Sequence, residues 1–298
     1  MTHDLDLHGV WVPLITPFAA DGSVDVKAVE RLCHEYLDAG AAGIVALGTT
    51  GESAALDDAE KRLVIEACSK ACASRDAQLM VGTGTNSTRT TIAATVALAG
   101  IPAVNSALVV VPYYVRPSEA GIVEHYRSVA STSPIPIVAY NIPYRTGRGL
   151  GSASLLELAA TANIVGVKQA VGGIDTDTLE VLRDKPDTFH VLGGEDPFLL
   201  ATVLFGGSGA IAASAHVCTE RFVKMIDCAL TGKVEDARAH HEKLLKVITT
   251  GFAEPNPAIG NGVLPQQDRI ATADVRAPMT NASEAAIERC LAAIALAL

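Results

Sequence analysis

From about residue 10 to residue 230 the chain repeats one pattern, in which a short run of apolar residues, rich in valine and isoleucine, leads through a polar loop into a stretch with apolar positions three and four apart. The short runs read as strands buried on both faces and the longer stretches as amphipathic helices. The pattern predicts strands over 10–14, 43–47, 78–81, 107–111, 137–141, 165–169, 190–192 and 209–213. It predicts helices over 26–39, 57–73, 87–98, 152–160, 197–205 and 221–230, with Asp57 or Asp58 capping the second and Pro117 opening one after the fourth strand. Eight β/α units without a run of hairpins make an α/β protein and close a (β/α)8 TIM barrel. Beyond residue 230 the pattern changes. Helices are expected over 234–249 and 283–296, separated by a connection rich in proline and glycine (Glu254-Pro255-Asn256-Pro257, then Gly260-Asn261-Gly262). The expected organisation is a catalytic barrel over 1–230 and a C-terminal helical extension over 231–298 packed on it.

One short run contains a residue that does not belong in a buried strand. In Ile164-Val165-Gly166-Val167-Lys168-Gln169-Ala170 a lysine sits among apolar neighbours. Burial disfavours an ammonium and pushes its pKa down, which is what an amine needs to act as a nucleophile at neutral pH. A lysine at a strand end can also snorkel to water or pair with a carboxylate, and the run by itself leaves both readings open.

Composition narrows the partners. The 298 residues are 49% hydrophobic and 19% charged, with a net charge of -10 and no Lys/Arg cluster. Phosphate neutralisation requires a basic face, so nucleic acid is not expected as a partner. The apolar balance points to a large core or to surface buried between subunits. No apolar stretch reaches the length of a membrane span, and the opening residues lack the basic and apolar regions of a signal peptide, so a cytoplasmic protein is expected. The six cysteines form no CxxC pair and have no histidine partner at zinc spacing. Buried thiols are expected, and no metal.

In a β/α barrel the chemistry gathers where strands end. After the second strand comes Gly48-Thr49-Thr50-Gly51-Glu52-Ser53, whose amides and hydroxyls can form a nest for a carboxylate. Pro112-Tyr113-Tyr114 follows the fourth strand, Tyr140-Asn141-Ile142-Pro143-Tyr144-Arg145-Thr146-Gly147 ends the fifth, and Lys168 lies in the sixth. Each of these could singly be a turn, a plug or a surface charge. An amine, phenols, an anion nest and an arginine on one face make a site.

Gly48-Thr49-Thr50-Gly51-Glu52, Tyr140-Asn141-Ile142-Pro143 and Gly166-Val167-Lys168 resemble the three signature stretches of the dihydrodipicolinate synthase and N-acetylneuraminate lyase family of pyruvate-dependent, Schiff-base enzymes. The resemblance runs from Gly9 to about Met279, and Val111-Pro112-Tyr113-Tyr114 and Glu254-Pro255-Asn256-Pro257 are similar to its synthase branch. It implies that Lys168 forms an imine with pyruvate, that Tyr140 shuttles protons through Thr49 to Tyr114, and that Tyr114 reaches in from a neighbouring subunit. It further implies Thr49 and Thr50 as holders of the pyruvate carboxylate, Gly193 and Ile211 as the opposite wall, a homotetramer, and no cofactor beyond the imine. Arg145 matches the arginine with which the synthases hold aspartate semialdehyde, so the expected reaction condenses pyruvate with that aldehyde to 4-hydroxy-tetrahydrodipicolinate, on the route to lysine and diaminopimelate. A pyruvate-dependent aldolase or dehydratase acting on a 2-keto-3-deoxy acid shares Lys168 and Tyr140 and is the alternative, and a non-catalytic ligand-binding barrel is a third reading. The chain departs from the family in three places. Gln169 stands where an acid is more common, 260–270 lacks the usual lysine-and-alanine helix, and Asp58, Lys61 and Thr90 occupy the region of the lysine feedback site, where only Asn86 and Tyr113 match. Inhibition by lysine is therefore expected to be weak or absent.

Overall fold

The computed structural model describes residues 5–298, so the first four residues of the stretch read above as lacking a signal peptide lie outside it. Eight parallel strands close in sequence order, β1 (Gly9–Pro13), β2 (Gly43–Ala46), β3 (Gln78–Gly82), β4 (Val104–Val110), β5 (Ile137–Asn141), β6 (Ile164–Gln169), β7 (His190–Gly193) and β8 (Gly209–Ile211). Closure comes from β1 pairing with β8, with Trp11 opposite Ile211. The barrel expected from the repeating pattern is the one that forms.

Alternation along each strand builds two separate cores. Inward side chains Trp11, Val45, Met80, Leu108, Val138, Leu192 and Ile211 fill the barrel together with Leu7 from the segment before β1. Outward side chains such as Val12, Ile44, Val81, Val109 and Val191 meet the helices in a second, larger cluster. Because both faces are apolar, the strands read as continuous hydrophobic runs.

The helices of the barrel are α1 (Val26–Asp38), α2 (Asp58–Ser74), α3 (Thr88–Val96), α4 (Glu119–Thr132), the single turn α5 (Pro143–Thr146), α6 (Ser152–Ala159), α7 (Thr176–Asp184), α8 (Leu199–Leu204) and α9 (Ala215–Leu230). The Asp57 carboxylate caps α2 in a capping box with Glu60. Pro117 lies two residues before the start of α4, because the Ser118 hydroxyl accepts from Gly121 N (3.2 Å) and takes the cap. The pattern had left no helix between the sixth and seventh strands, yet α7 forms there on the Asp175 cap, burying only Val181 and Leu182 among its apolar residues. The last barrel helix starts six residues earlier than expected and breaks its geometry at Cys218.

Beyond the barrel come α10 (Val234–Gly251), α11 (Ala258–Gln266) and α12 (Glu284–Ala297). The segment expected to lack a helix contains α11. It buries Ile259, Val263 and Leu264, and Pro265 sits in its last turn. At Gly262 a side chain would lie 2.5 Å from Ile287 Cδ1, so the glycine that looked like a loop signal is where α12 crosses α11. α10 and α11 both pack on α9 and α12. No helix among the described residues is long and apolar enough to cross a membrane. Five of the cysteines are buried and Cys228 is half-buried.

Candidate active site

At the C-terminal end of the barrel the inward stack changes from hydrocarbon to functional groups. β5 and β6 set Tyr140 beside Lys168 in register, both facing inward. Lys168 is 7% exposed and its Nζ lies 4.4 Å from the centroid of the Tyr140 ring. Burial pulls the lysine down to about 8, Arg145 pushes in the same direction, and the carboxylates of Asp196 and Glu195 oppose them. Roughly a tenth of such an amine is neutral at pH 7. Burial also raises the Tyr140 phenol to about 12, against the lowering effects of a hydrogen bond with the Thr49 side chain and of Arg145. The phenol therefore keeps its proton and can donate it beside the amine.

The loop after β2 supplies the next wall. Gly51 N donates to Gly48 O and Glu52 N to Thr49 O (both 3.1 Å), and the Thr16 hydroxyl ties the turn down through Gly51 O (2.7 Å). Glu52, left-handed at φ 53°, buries its carboxylate and accepts from Arg276 N (2.8 Å). Burial raises its pKa. Thr50 is buried, and its hydroxyl accepts from Asn256 Nδ2 (3.0 Å). The Arg276 guanidinium holds Glu60 and Gly22 O (both 2.6 Å) and stacks on Phe18. A C-terminal strap thus closes over the second loop. Between them opens a cavity of about 630 Å³ whose lining includes Thr49, Tyr140, Arg145, Asn256 and Arg276.

The expected site residues divide. Thr49, Tyr140 and Arg145 line the cavity, Lys168 lies beside Tyr140 beneath it without lining it, and Ile211 is buried in the inward stack. Thr50 is buried next to Thr49 in the loop and does not line the cavity. Tyr114 is 87% exposed and does not line the cavity in the single chain. Gly193 turns its side-chain position toward Leu199, 2.9 Å from its Cδ2, and the glycine that lies against the lysine is Gly194, where a Cβ would sit 2.9 Å from Lys168 Cε.

Two contributors were not foreseen. Asp196, 2% exposed, accepts from Ser214 N (2.6 Å) and so ties the loop after β7 to the one after β8. Its carboxyl is raised by burial and lowered by Ser214, Lys168 and Ala213. Gly194-Glu195-Asp196 follows the seventh strand, so the strand-end rule that found the other loops reaches it too. Asn256 lies in a stretch that the resemblance marked without giving it a role. Among the described residues no cluster of three or more His, Cys, Asp or Glu is placed to hold a metal ion.

The model of the dihydrodipicolinate synthetase family matches residues 6–296. The chain belongs to that family. Among its relatives in the dihydrodipicolinate synthetase family, 4-hydroxy-tetrahydrodipicolinate synthase 2 of Clostridium acetobutylicum is 37% identical over 280 residues, covering 94% of this chain and 96% of the relative. Among solved members of the family, the chloride-inhibited dihydrodipicolinate synthase of Acinetobacter baumannii complexed with pyruvate superposes with a TM-score of 0.93 at 30% identity, covering 98% of this chain and 99% of the other. A monomeric dihydrodipicolinate synthase variant superposes with a TM-score of 0.92 at 28% identity, over 97% of this chain and 96% of the other.

Proposed function

We propose that this protein condenses pyruvate with L-aspartate semialdehyde to 4-hydroxy-tetrahydrodipicolinate through an imine on Lys168. The observation that carries the reading is the buried amine of Lys168, depressed to about 8 and set 4.4 Å from the ring of a protonated Tyr140. The neutral amine attacks the keto carbon of pyruvate, Tyr140 delivers the proton with which water leaves, and the iminium nitrogen becomes the electron sink. Loss of a methyl proton then gives the enamine that attacks the aldehyde. Thr49 and Thr50 form the carboxylate nest, with Thr50 braced by Asn256. Arg145, on the cavity wall, receives the carboxylate of the semialdehyde, since a guanidinium matches a carboxylate through two parallel bonds. Gly194 gives the stem of Lys168 its room, and Gly193 with Ile211 completes the opposite wall through backbone and hydrocarbon.

In this reading residues 1–230 form the catalytic barrel, and 231–298 an extension that contributes Asn256 and the Arg276 strap. The active form is a cytoplasmic homotetramer. Tyr114, with Val115 and Tyr144, leaves aromatic and apolar surface exposed beside the site, as a side chain that completes a neighbour's relay requires. Lysine inhibits weakly or not at all, because Asp58, Lys61 and Thr90 stand in the region of the family's feedback site, and Lys61, 3.8 Å from Asp58, adds a cation there. A steady-state titration with lysine checks this.

The deciding experiment adds pyruvate and borohydride and maps the adduct by mass. Reductive trapping on Lys168 is expected, and folded protein that binds pyruvate without an adduct sinks the reading. Arg145→Ala then separates the substrates: condensation with the semialdehyde falls about a hundredfold while imine trapping persists. Equal activity of that variant on the semialdehyde would favour a 2-keto-3-deoxy acid as the true substrate.

A further inference from the structure

Immediately after Tyr140 and Lys168, the two strands place Asn141 opposite Gln169. By alternation these side chains point away from the barrel interior, toward the helices. Both are buried, Asn141 1% and Gln169 6% exposed, so every polar atom they carry needs a partner. Asp175, the cap of α7, accepts from Thr178 N (2.8 Å) and from the Thr178 hydroxyl (2.6 Å). Having given its one proton, that hydroxyl can only accept, and it does so from Gln169 Nε2 (3.0 Å). Gln169 therefore turns its carbonyl to Asn141, accepting from Nδ2 (3.1 Å). The other hydrogen of Asn141 Nδ2 goes to Leu150 O (3.1 Å), and Asn141 Oδ1 accepts from Leu150 N (3.0 Å). The links from Asn141 through Gln169 and Thr178 to Asp175 all donate in one direction, and that direction sets both amides.

We propose that Gln169 is a positioning residue for the reaction: its neutral amide, donor at one end and acceptor at the other, locks β5 against β6 and so holds the Lys168 amine over the Tyr140 ring. The same chain reaches Arg145. Leu150 closes the loop that follows α5, the turn on which Arg145 sits, and it is tied by both of its backbone groups to Asn141. One side chain thus links the amine, the phenol, the guanidinium loop and the start of α7. A glutamate at 169 breaks the sequence of donors, because two carboxylates then face one hydroxyl proton. Only its protonated form can donate to Thr178. The other charged groups nearby lie on the elements around this chain: Glu119 and Asp177 accept from Gly151 N (2.7 Å) and Ser152 N (2.9 Å), Glu180 of α7 accepts from the Ser152 hydroxyl (2.5 Å), and Lys168 occupies the opposite face of β6.

The inference rests on the imine reading, and the experiment separates the two. Wild type, Gln169→Met, Gln169→Glu and Thr178→Val are compared from pH 6 to 8 by borohydride trapping with pyruvate, by kcat and KM, and by thermal midpoint. Gln169→Met is expected to lower kcat and the trapping rate about tenfold at every pH, because sub-ångström misplacement of reacting groups is costly. Gln169→Glu shows a similar loss at pH 8, and its ratio to wild type recovers several-fold toward pH 6 as the carboxyl gains a proton. Thr178→Val, remote from the barrel interior, lowers kcat a few-fold with KM for pyruvate unchanged. If all three variants lose only thermal stability and keep wild-type trapping and kcat across the range, Gln169 merely packs and the proposal is overturned. No adduct on folded wild type overturns the imine reading, and this inference with it.

Discussion

The two ends of the barrel interior are built on one alternation and serve opposite ends. Toward the N-terminal side the inward positions carry Leu7, Trp11, Val45 and Met80, all fully buried. Toward the C-terminal side the same phase of β5 and β6 carries Tyr140 and Lys168, and the outward phase carries Asn141 and Gln169. The bottom gains free energy from removing hydrocarbon from water. The top gives some of that up, burying an amine and a set of amides that must each find a partner. What the contrast teaches is that the site is a level of the barrel, polar on both faces of the sheet, resting on a level that is apolar on both.

Replacing Lys168 by methionine should divide the two levels most sharply. Activity is expected to fall by at least about a thousandfold, since the proposed imine nitrogen is removed and Lys61, on the cavity wall, is not the amine set over the Tyr140 ring. Stability should move the other way. The folded pKa lies near 8, below the 10.5 of an exposed lysine, so the unfolded chain holds the proton more firmly between these values. Wild-type stability therefore rises with pH through that window and carries the full penalty below it, on the order of 3 kcal/mol, which methionine removes. Chemical denaturation at pH 7 and 10 reads this, and a variant less stable at pH 7 would contradict it.

At the bottom, Trp11→Ala should cost about 3–5 kcal/mol, because the ring is fully enclosed, yet the enzyme that remains folded should keep the wild-type KM and kcat. A kcat change larger than the stability loss explains would mean that the two levels are coupled. The third effect is smaller. Trapping of pyruvate should rise about tenfold from pH 6 to pH 7 and level off above about 8, as the neutral fraction of Lys168 grows. A flat profile would remove the amine from the rate-determining proton balance. The smallest concerns the nest. Asn256→Ala should raise KM for pyruvate about threefold while kcat and thermal midpoint stay close to wild type, since one hydrogen bond to Thr50 is lost and Asn256 itself lines the open cavity.

Much of the upper level was legible in the sequence because reactive residues stood at successive strand ends. Lysine in a β-branched run is conspicuous, and so is a nest of small residues. What escaped notice did so for physical reasons. α7 offers few apolar positions, and its start is set by Asp175, whose partner Thr178 is shared with a strand. α11 carries glycine and proline, which read as a loop until Ile287 occupies the space over Gly262. Gly193 and Gly194 are indistinguishable as letters, and only the phase of the strand says which lies against the lysine. Gln169 stood out as a departure from the family, but its reason lies in partners contributed by Asn141 and Thr178. Thr50 and Asn256 are brought together only by the finished fold.

The strap that covers the second loop also gives the site a place in time. A ribosome makes the chain from its amino end, and strand pairing can be complete once β8 has been made, whereas Asn256 and Arg276 come later. At common rates of synthesis the interval amounts to several seconds. During it the nascent barrel holds its lysine, but lacks the wall that braces the carboxylate nest. The order of synthesis therefore lets the scaffold assemble before the wall of its site is complete.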